Sequence, residues 1–493
     1  MAFIEHFPVL IVVVPLLAAP LCILFNHSRL AWGLSMLAAG FTLVAALVLL
    51  QMLQHTDALS YAVGGWAAPL GIELYIDALA VLLLLILGGS ALLVMLFALH
   101  SVENEISRPQ QPMFYAAMML VLAGLVGITV TGDAFNIFVF LEISSLSTYA
   151  LISMGKDRRA LYAAFQYLIM GTIGATFILI GIGFLYVMTG TLNIQDLATR
   201  LPEVADTRAV RAAFAFVTVG LGLKAAMFPL HLWLPNAYAF SPSVVSAFLA
   251  ATATKVAVYV LIRFLLSLYD VQFSLGELPF DIVLMFLGTI GVFAGSLAAV
   301  FRNNVKRMLA YSSIAQIGYI LMAIGLASQP GMTAALLHMF NHALIKGTLF
   351  LALGAVSYRL ATSELSDLAG IGRTMPFTTA AFAIGGLSLI GVPSTAGFVS
   401  KWYLVVALIE SSMWPLALLV LAGSVLALIY IGRVLEVAYF RPPPRNVKYK
   451  RLPLTMLVSM WVLALSNLYF GLDTRLSEGL ASMAVAQLMG GAP

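Results

Sequence analysis

Charged residues make up only 9% of this chain of 493 residues, and cysteine occurs once, as Cys22. A single thiol excludes an intrachain disulfide and any Cys-cluster metal or iron–sulfur centre, so redox chemistry within the chain is not expected. The scarcity of charge also excludes an ordinary soluble domain, in which about a quarter of the residues are charged. The polar segments contain no Gly-rich phosphate loop, no nucleophile constellation and no metal motif. Their lack argues against an autonomous enzyme and against a resident cofactor. The formal net charge of +4 gives no reason to invoke nucleic acid and suits basic loops facing anionic lipid.

What is present is hydrophobic: 62% of the residues, with a mean hydropathy of +1.02. Such a composition reads as an all-α polytopic membrane protein, because each span needs about 20 apolar residues and the loops left over are short. Hydropathy predicts about fourteen helices, near 8–25, 30–53, 77–100, 113–131, 134–154, 161–190, 210–229, 242–269, 281–301, 305–326, 331–357, 376–409, 413–439 and 453–471. Glu5 and His6 precede the first, in place of a basic leader, so it reads as a retained span. The odd-numbered connections hold Arg29, Arg108, Lys156, Arg158, Arg159, Arg302, Lys306, Arg307, Arg359, Arg373 and a cluster from Arg433 to Arg451. The even ones hold only Arg200, Arg208 and Arg211. By the positive-inside rule the odd loops are cytoplasmic, and both termini lie outside the cell (inner) membrane.

Two helices read as interrupted: the seventh between Pro229 and Pro235, and the twelfth at GVPSTAG, where Gly391 and Pro393 loosen the backbone and remove a donor. They are five helices apart. Breaks at corresponding places in two halves point to an inverted repeat with ion sites near the midplane. The expected division is therefore helices 1–3 (1–110), a first five-helix repeat of helices 4–8 (111–270), a second of helices 9–13 (271–440), and a basic loop, last helix and short tail (441–493).

Ionisable residues inside apolar spans are costly, at roughly 2.5–3.5 kcal/mol for a central lysine on translocon scales, so each asks for a partner or a task. Lys224 and Lys255 flank the seventh break, and Glu142, His338, His342, Lys346 and Lys401 lie in other spans. Lys255 falls about 14 residues, or roughly 21 Å, into its helix, too deep for snorkelling. Arg263, eight residues later and near a loop, is expected to snorkel as an anchor. His338, His342 and Lys346 recur every four residues on one helical face, and imidazole accepts a proton at one nitrogen while releasing one at the other. The two histidines alone suit zinc, but no third ligand accompanies them and a lysine is a poor neighbour for a cation, so no metal is expected.

Four segments carry a resemblance. GLKAAMFPLHLWLPNAYAFSPSVVSAFLAATATKVAVY (222–259), VKRMLAYSSIAQIGYI (305–320), HMFNHALIKGTLFL (338–351) and GVPSTAGFVSKWYL (391–404) resemble, in order, the antiporter-like subunits shared by respiratory complex I, Mrp-type multisubunit cation/proton antiporters and membrane-bound hydrogenases. TGDAFNIFVFLEISSLSTYALI (131–152) and TGTLNIQDLA (189–198) are similar to the Mrp D subunit in particular. The resemblance implies a proton half-channel in each repeat, joined by a hydrated central axis. It implies that Glu142 and Lys224 form a switching pair, that Lys255 is the central lysine, and that Lys401 ends the second half-channel. Asn304 departs from the pattern, since many relatives carry Asp there. Ser312, Ser313 and Gln316 are water-path candidates, and His231 is a weak one beside prolines that shape the break.

The leading expectation is a proton-conducting membrane subunit of a multisubunit Mrp-type Na⁺(K⁺)/H⁺ antiporter, working with other subunits of a hetero-oligomeric complex. The rivals are a proton-pumping subunit of a complex I-like or hydrogenase assembly, an energising partner of another uptake system, and a non-conducting structural scaffold that keeps its charges for helix packing.

Overall fold

The structure, a computed structural model, describes residues 4–269, 271–442 and 451–490. Arg445, Lys448 and Lys450 of the expected basic cluster lie outside them. The apolar runs form helices α1 (Phe7–Phe25), α2 (Ser28–Met52), α3 (Ala78–Glu105), α4 (Gln111–Val130), α5 (Ala134–Ser153) and α6 (Arg159–Thr189). A short α7 (Ile194–Arg200) precedes α8 (Arg208–Ala225), α9 (Leu234–Phe240), α10 (Ser243–Ala251) and α11 (Ala253–Ile262). The remainder comprises α12 (Phe280–Val300), α13 (Val305–Gly325), α14 (Gln329–Leu360), α15 (Ile371–Thr374), α16 (Pro376–Ile390), α17 (Ala396–Glu410), α18 (Trp414–Phe440), α19 (Leu454–Leu472) and α20 (Arg475–Met489). Side chains start many of these helices: Asp77, Asp133, Asn193 and Asn304 each accept the amide three residues on, which satisfies donors that lipid cannot.

Twelve stretches among the described residues are helical, long and apolar enough to cross a membrane. The two breaks expected from the sequence are present in addition. One is α8/α9: α8 ends at Ala226 in the left-handed conformation (φ 56°), and an irregular turn holding Pro229 leads to α9. The other is α16/α17, where Gly391 (φ 92°) closes α16 and Thr395 precedes α17. A third interruption was not anticipated, at Thr252 between α10 and α11 (φ −123°, ψ −56°). No Gly or Pro stands there; the Thr252 hydroxyl donates back to the Phe248 carbonyl at 2.7 Å, and such back-bonding bends helices.

Connections segregate by parity. The odd ones, those following α3, α5, α9, α12 and α14, converge on one face around a single cavity. On the opposite face a hairpin, β1 (Leu59–Ala62) paired with β2 (Glu73–Ile76), meets the α4–α5 turn at Thr131. Both described ends are on this second face: His6 bonds the Tyr61 hydroxyl at 3.0 Å, and Gln487 in α20 accepts from the Ala78 amide at 3.1 Å. The helices α10, α11, α13 and α14 are enclosed almost all round, whereas α1, α6, α12, α18 and α19 turn wide apolar faces outward. Close crossings use small residues, as where Gly174 of α6 meets Gly220 of α8 and Gly288 of α12 meets Gly318 of α13.

Candidate functional site

The enclosed helices carry Lys255, His338, His342 and Lys346, while Lys224 and Lys401 stand on α8 and α17 beside the two breaks. Lys255, His342 and Lys346 are wholly buried, and Lys224, His338 and Lys401 nearly so. In hydrocarbon an ammonium needs acceptors, and helix ends supply them, because the last carbonyls of a helix lack intrahelical partners. Lys401, on the first turns of α17, reaches back to the Leu389 and Ile390 carbonyls that end α16, both at 3.0 Å. Its ammonium also donates to Ser424 Oγ at 3.0 Å and lies 5.0 Å from the centre of the Tyr319 ring. Lys255, just past the Thr252 break, donates to the Ala250 carbonyl at the end of α10. The break that sequence periodicity did not show is thus what gives Lys255 its acceptor.

Lys224 occupies the last turn of α8, before the seventh break, and donates to Ser145 Oγ at 2.8 Å. Glu142, one helical turn earlier on α5, places its Oε1 3.8 Å from the Lys224 Nζ. The ammonium is enclosed while the carboxylate is about a quarter exposed, so the pair straddles the edge of the packed interior. Between Lys224 and the Ala253–Ala257 stretch of α11 is a cavity of about 20 Å³ lined by Ser144, Ser145 and Thr148. That is room for about one water.

On α14, Lys346 donates to the Leu309 carbonyl at 2.8 Å and to Ser312 Oγ at 2.5 Å. His338 is held at both nitrogens, by Ser400 Oγ at 2.9 Å and Gln316 Oε1 at 3.0 Å, and its ring stacks parallel to that of His342 with centroids 6.2 Å apart. Neither nitrogen of His342 has a hydrogen-bond partner. Lys255 is close enough to act electrostatically on His338, His342 and Lys346, and Lys401 acts on His338. The structure therefore brings Lys255, Lys346, His342 and His338 together in the interior, with Lys401 beside His338; Glu142 and Lys224 form a separate pair on α5 and α8.

Ser312 and Gln316 join the interior group as direct partners of Lys346 and His338. Ser313 donates to the Leu309 carbonyl at 3.2 Å, and His231 is stacked on Phe228 within the seventh break. Pro229 lies in the turn of that break and Pro235 in the first turn of α9; Gly391 closes α16 and Pro393 follows it. Asn304 caps α13 and donates its amide to Ser363 Oγ and Glu364 Oε1, both at 2.9 Å. An aspartate there would face Glu364 with like charge.

Arg263 corrects an expectation. It does not snorkel; it is buried and forms a two-pronged pair with Asp77, Nη1 to Oδ2 at 2.6 Å and Nη2 to Oδ1, while its Nε donates to the Tyr259 hydroxyl at 3.0 Å. Facing a carboxylate across the protein gives the guanidinium a charge-assisted, two-pronged partner. Sequence reasoning also missed Ser145, Ser400, Ser424 and Tyr319. Ser145 and Ser400 stand within three residues of Glu142 and Lys401, the one signal that could have marked them.

These are the features of a multi-pass membrane protein built around ionisable side chains at helix breaks. Residues 131–427 match the family described as NADH:quinone oxidoreductase/Mrp antiporter, TM, and the chain belongs to that family. The N subunit of the NADH-quinone oxidoreductase of Desulforudis audaxviator is 41% identical over 490 residues, covering 95% of this chain and 96% of its own. The D subunit of the Na(+)/H(+) antiporter of Bacillus subtilis is 28% identical over 98% of this chain and 97% of its own. A chain in the solved Mrp complex from Dietzia sp. DQ12-45-1b superposes with a TM-score of 0.90 at 26% identity, over 99% of this chain and 98% of that one.

Proposed function

We propose that this chain is a proton-conducting subunit of a hetero-oligomeric ion-transporting complex in the cell membrane, read first as a Mrp-type Na⁺(K⁺)/H⁺ antiporter. The observation that carries it is the series of buried titratable groups Lys224, Lys255, Lys346, His342, His338 and Lys401, with Glu142 beside the first of them. An acid beside a lysine favours its charged form and burial disfavours it, so moving Glu142 by a few ångströms captures or releases a proton. Lys255 hands protons between the halves, and any redox step belongs to other chains. The twelve single spans and the two interrupted ones make fourteen crossings, divided as 1–110, 111–270, 271–440 and 441–493, with two inverted repeats of five helices. The odd-loop face, rich in Lys and Arg, is cytoplasmic and both termini are outside.

A second reading, a proton-pumping subunit of a complex I-like assembly, is favoured by the 41% identity to a protein named as an N subunit of NADH-quinone oxidoreductase. Both readings use the same set of residues. The test is Na⁺- and K⁺-dependent proton movement in everted vesicles carrying the whole complex, comparing wild type with Lys224→Ala, Lys255→Ala and Glu142→Gln at matched assembly. Loss in all three is expected. Full activity in all three would leave the charges as packing pairs and put the scaffold reading in place. Proton movement driven by electron transfer to quinone, and not by Na⁺ or K⁺, would select the complex I-like assembly.

A further inference from the structure

A second cavity opens on the odd-loop face, next to the one where those connections converge; Asn104 lines both. It measures about 700 Å³, within the roughly 300–1,000 Å³ usual for small-molecule sites. Its walls are the α1–α2 turn, the end of α3, the start of α4 and Tyr358 of α14. Ser28 Oγ donates to Gln111 Oε1, and Gln111 Nε2 donates to the Ile106 carbonyl at 3.0 Å, which fixes the turn to the start of α4. His100 bonds Thr455 Oγ1 at the start of α19 at 3.1 Å. Charges of both signs face the space without pairing. Arg29, Arg108 and Glu103 line it, and the side chain of none of the three has an ion pair or a hydrogen bond among the described residues. Two guanidiniums and one carboxylate beyond ion-pair reach of each other match a ligand that is itself divided, with a phosphate for the arginines and an ammonium for the glutamate. A purely anionic ligand would leave Glu103 facing it with like charge.

The cavity continues into a furrow. Apart from one half-buried stripe that runs from Leu85 through Gly89, Leu92 and Leu96 to His100, α3 is buried from Ala78 to Val102, and spacings of three and four residues put that stripe on one side of the helix. It leads to Glu103. On α2, Arg29, Gly33, Met36 and Gly40 recur at the same spacing, and Gly40 looks onto Leu92. A Cβ at Gly33 or Gly89 would meet nothing within 4 Å. On one side of the stripe α2 is tied on, Trp32 Nε1 donating to the Met95 carbonyl at 2.9 Å; on the other α19 packs along α3 beside His100. From His100 to Gly89 the furrow runs ~17 Å along the axis, about the depth of one leaflet, which is half of a hydrocarbon core of roughly 30 Å. Phe25, Leu30, Met113 and Leu454, neighbours in sequence of residues at the cavity, are exposed apolar side chains. The cavity therefore sits where hydrocarbon meets headgroups.

We propose that this cavity and furrow hold one diacyl phospholipid whose headgroup carries a primary amine. The phosphate lies between Arg29 and Arg108, the ammonium faces Glu103, and one acyl chain follows α3 to the open space at Gly89. A lipid so placed fills the gap between α2 and α19. The inference goes beyond the proton-path reading and does not depend on it.

The experiment uses the whole complex in phosphatidylcholine vesicles doped with a phosphatidylethanolamine that carries a diazirine at the end of one acyl chain. After illumination and digestion, the label should lie on the stripe from Leu85 to Leu96 of α3. Unlabelled phosphatidylethanolamine should displace it at about fivefold lower concentration than phosphatidylglycerol, the effect of one charge contact near a membrane surface. Arg29→Gln together with Arg108→Gln should cut labelling by about 25-fold, two such contacts. Glu103→Gln should erase the preference over phosphatidylglycerol, and Gly89→Phe, which fills the open end of the furrow, should move the label off α3. Label on α3 no stronger than on the outward face of α18 around Gly432, unchanged labelling in the arginine variant or in Gly89→Phe, or an unchanged preference in Glu103→Gln each overturns the proposal. Water-soluble glycerophosphoethanolamine competing as well as the whole lipid would make this a site for a soluble phosphate compound, and overturns it too. If the variants do not assemble, the competition series on the wild-type complex decides alone: equal displacement by phosphatidylethanolamine, phosphatidylglycerol and phosphatidylcholine overturns the proposal, and the stated order upholds it.

Discussion

The Asp77–Arg263 pair allows a prediction whose size can be worked from its geometry. The two side chains are buried, share two hydrogen bonds and join the start of α3 to the end of α11 across 186 residues of sequence. Removing one partner strands the other as an uncompensated charge, which costs about 3–5 kcal/mol. Replacing both leaves no charge to strand, and exchanges of that kind are often neutral. Asp77 also caps α3 through the Ala80 amide at 3.0 Å, so the replacement should be Asn, which keeps the cap; Ala would add about 1 kcal/mol. Arg263→Met and Asp77→Asn are each expected to lose about 3–5 kcal/mol, and the double variant far less than their sum, a coupling of roughly 2–4 kcal/mol. The assay is unfolding by SDS titration in mixed micelles, followed by tryptophan fluorescence, through the full double-mutant cycle. Single costs below about 1 kcal/mol, or a double variant equal to the sum of the singles, would refute the argument that the pair is a buried, mutually dependent contact.

Two further outcomes are expected. A Cβ at Gly397 would overlap the Ser388 carbonyl oxygen, so Gly397→Ala should push α17 off α16 and deplete the assembled complex on native gels, while Gly432→Ala, facing open space, should not. Gln316→Leu and Ser400→Ala each leave one nitrogen of His338 unpaired at a cost of about 1–3 kcal/mol; proton exchange in vesicles should slow in both, and wild-type rates in both would show that His338 does not relay.

The membrane class, the two Gly/Pro breaks and the buried titratable residues were legible in the sequence because each rests on a local signal. Apolar length marks a span, proline and glycine mark a break, and a charge inside an apolar run is conspicuous wherever it falls. The remainder depended on contacts far apart in the chain. Arg263 read as an anchor because its partner, Asp77, is in a loop ahead of another helix. The Thr252 break carries no Gly or Pro and shows only through a side-chain hydrogen bond. Lys306 read as an ordinary loop charge, since nothing in its neighbourhood says that the odd connections meet over one cavity. The acceptors of Lys255, Lys346 and Lys401 include backbone carbonyls, which have no residue type to betray them.

That last feature has a mechanical consequence. Lys401 grips the free end of α16 from α17, and Lys255 grips the end of α10 from α11, so each ammonium works as a clasp across a hinge. A lysine that gives up its proton loses the charge that makes the clasp firm, and the two half-helices are freer to swing. The relation is reciprocal: a push from a neighbouring subunit that opens the angle between α16 and α17 must also alter how readily Lys401 parts with its proton. Bending and proton release are two readings of one equilibrium, and a force applied at the flank of the protein can be felt at its centre without any ion having travelled between them.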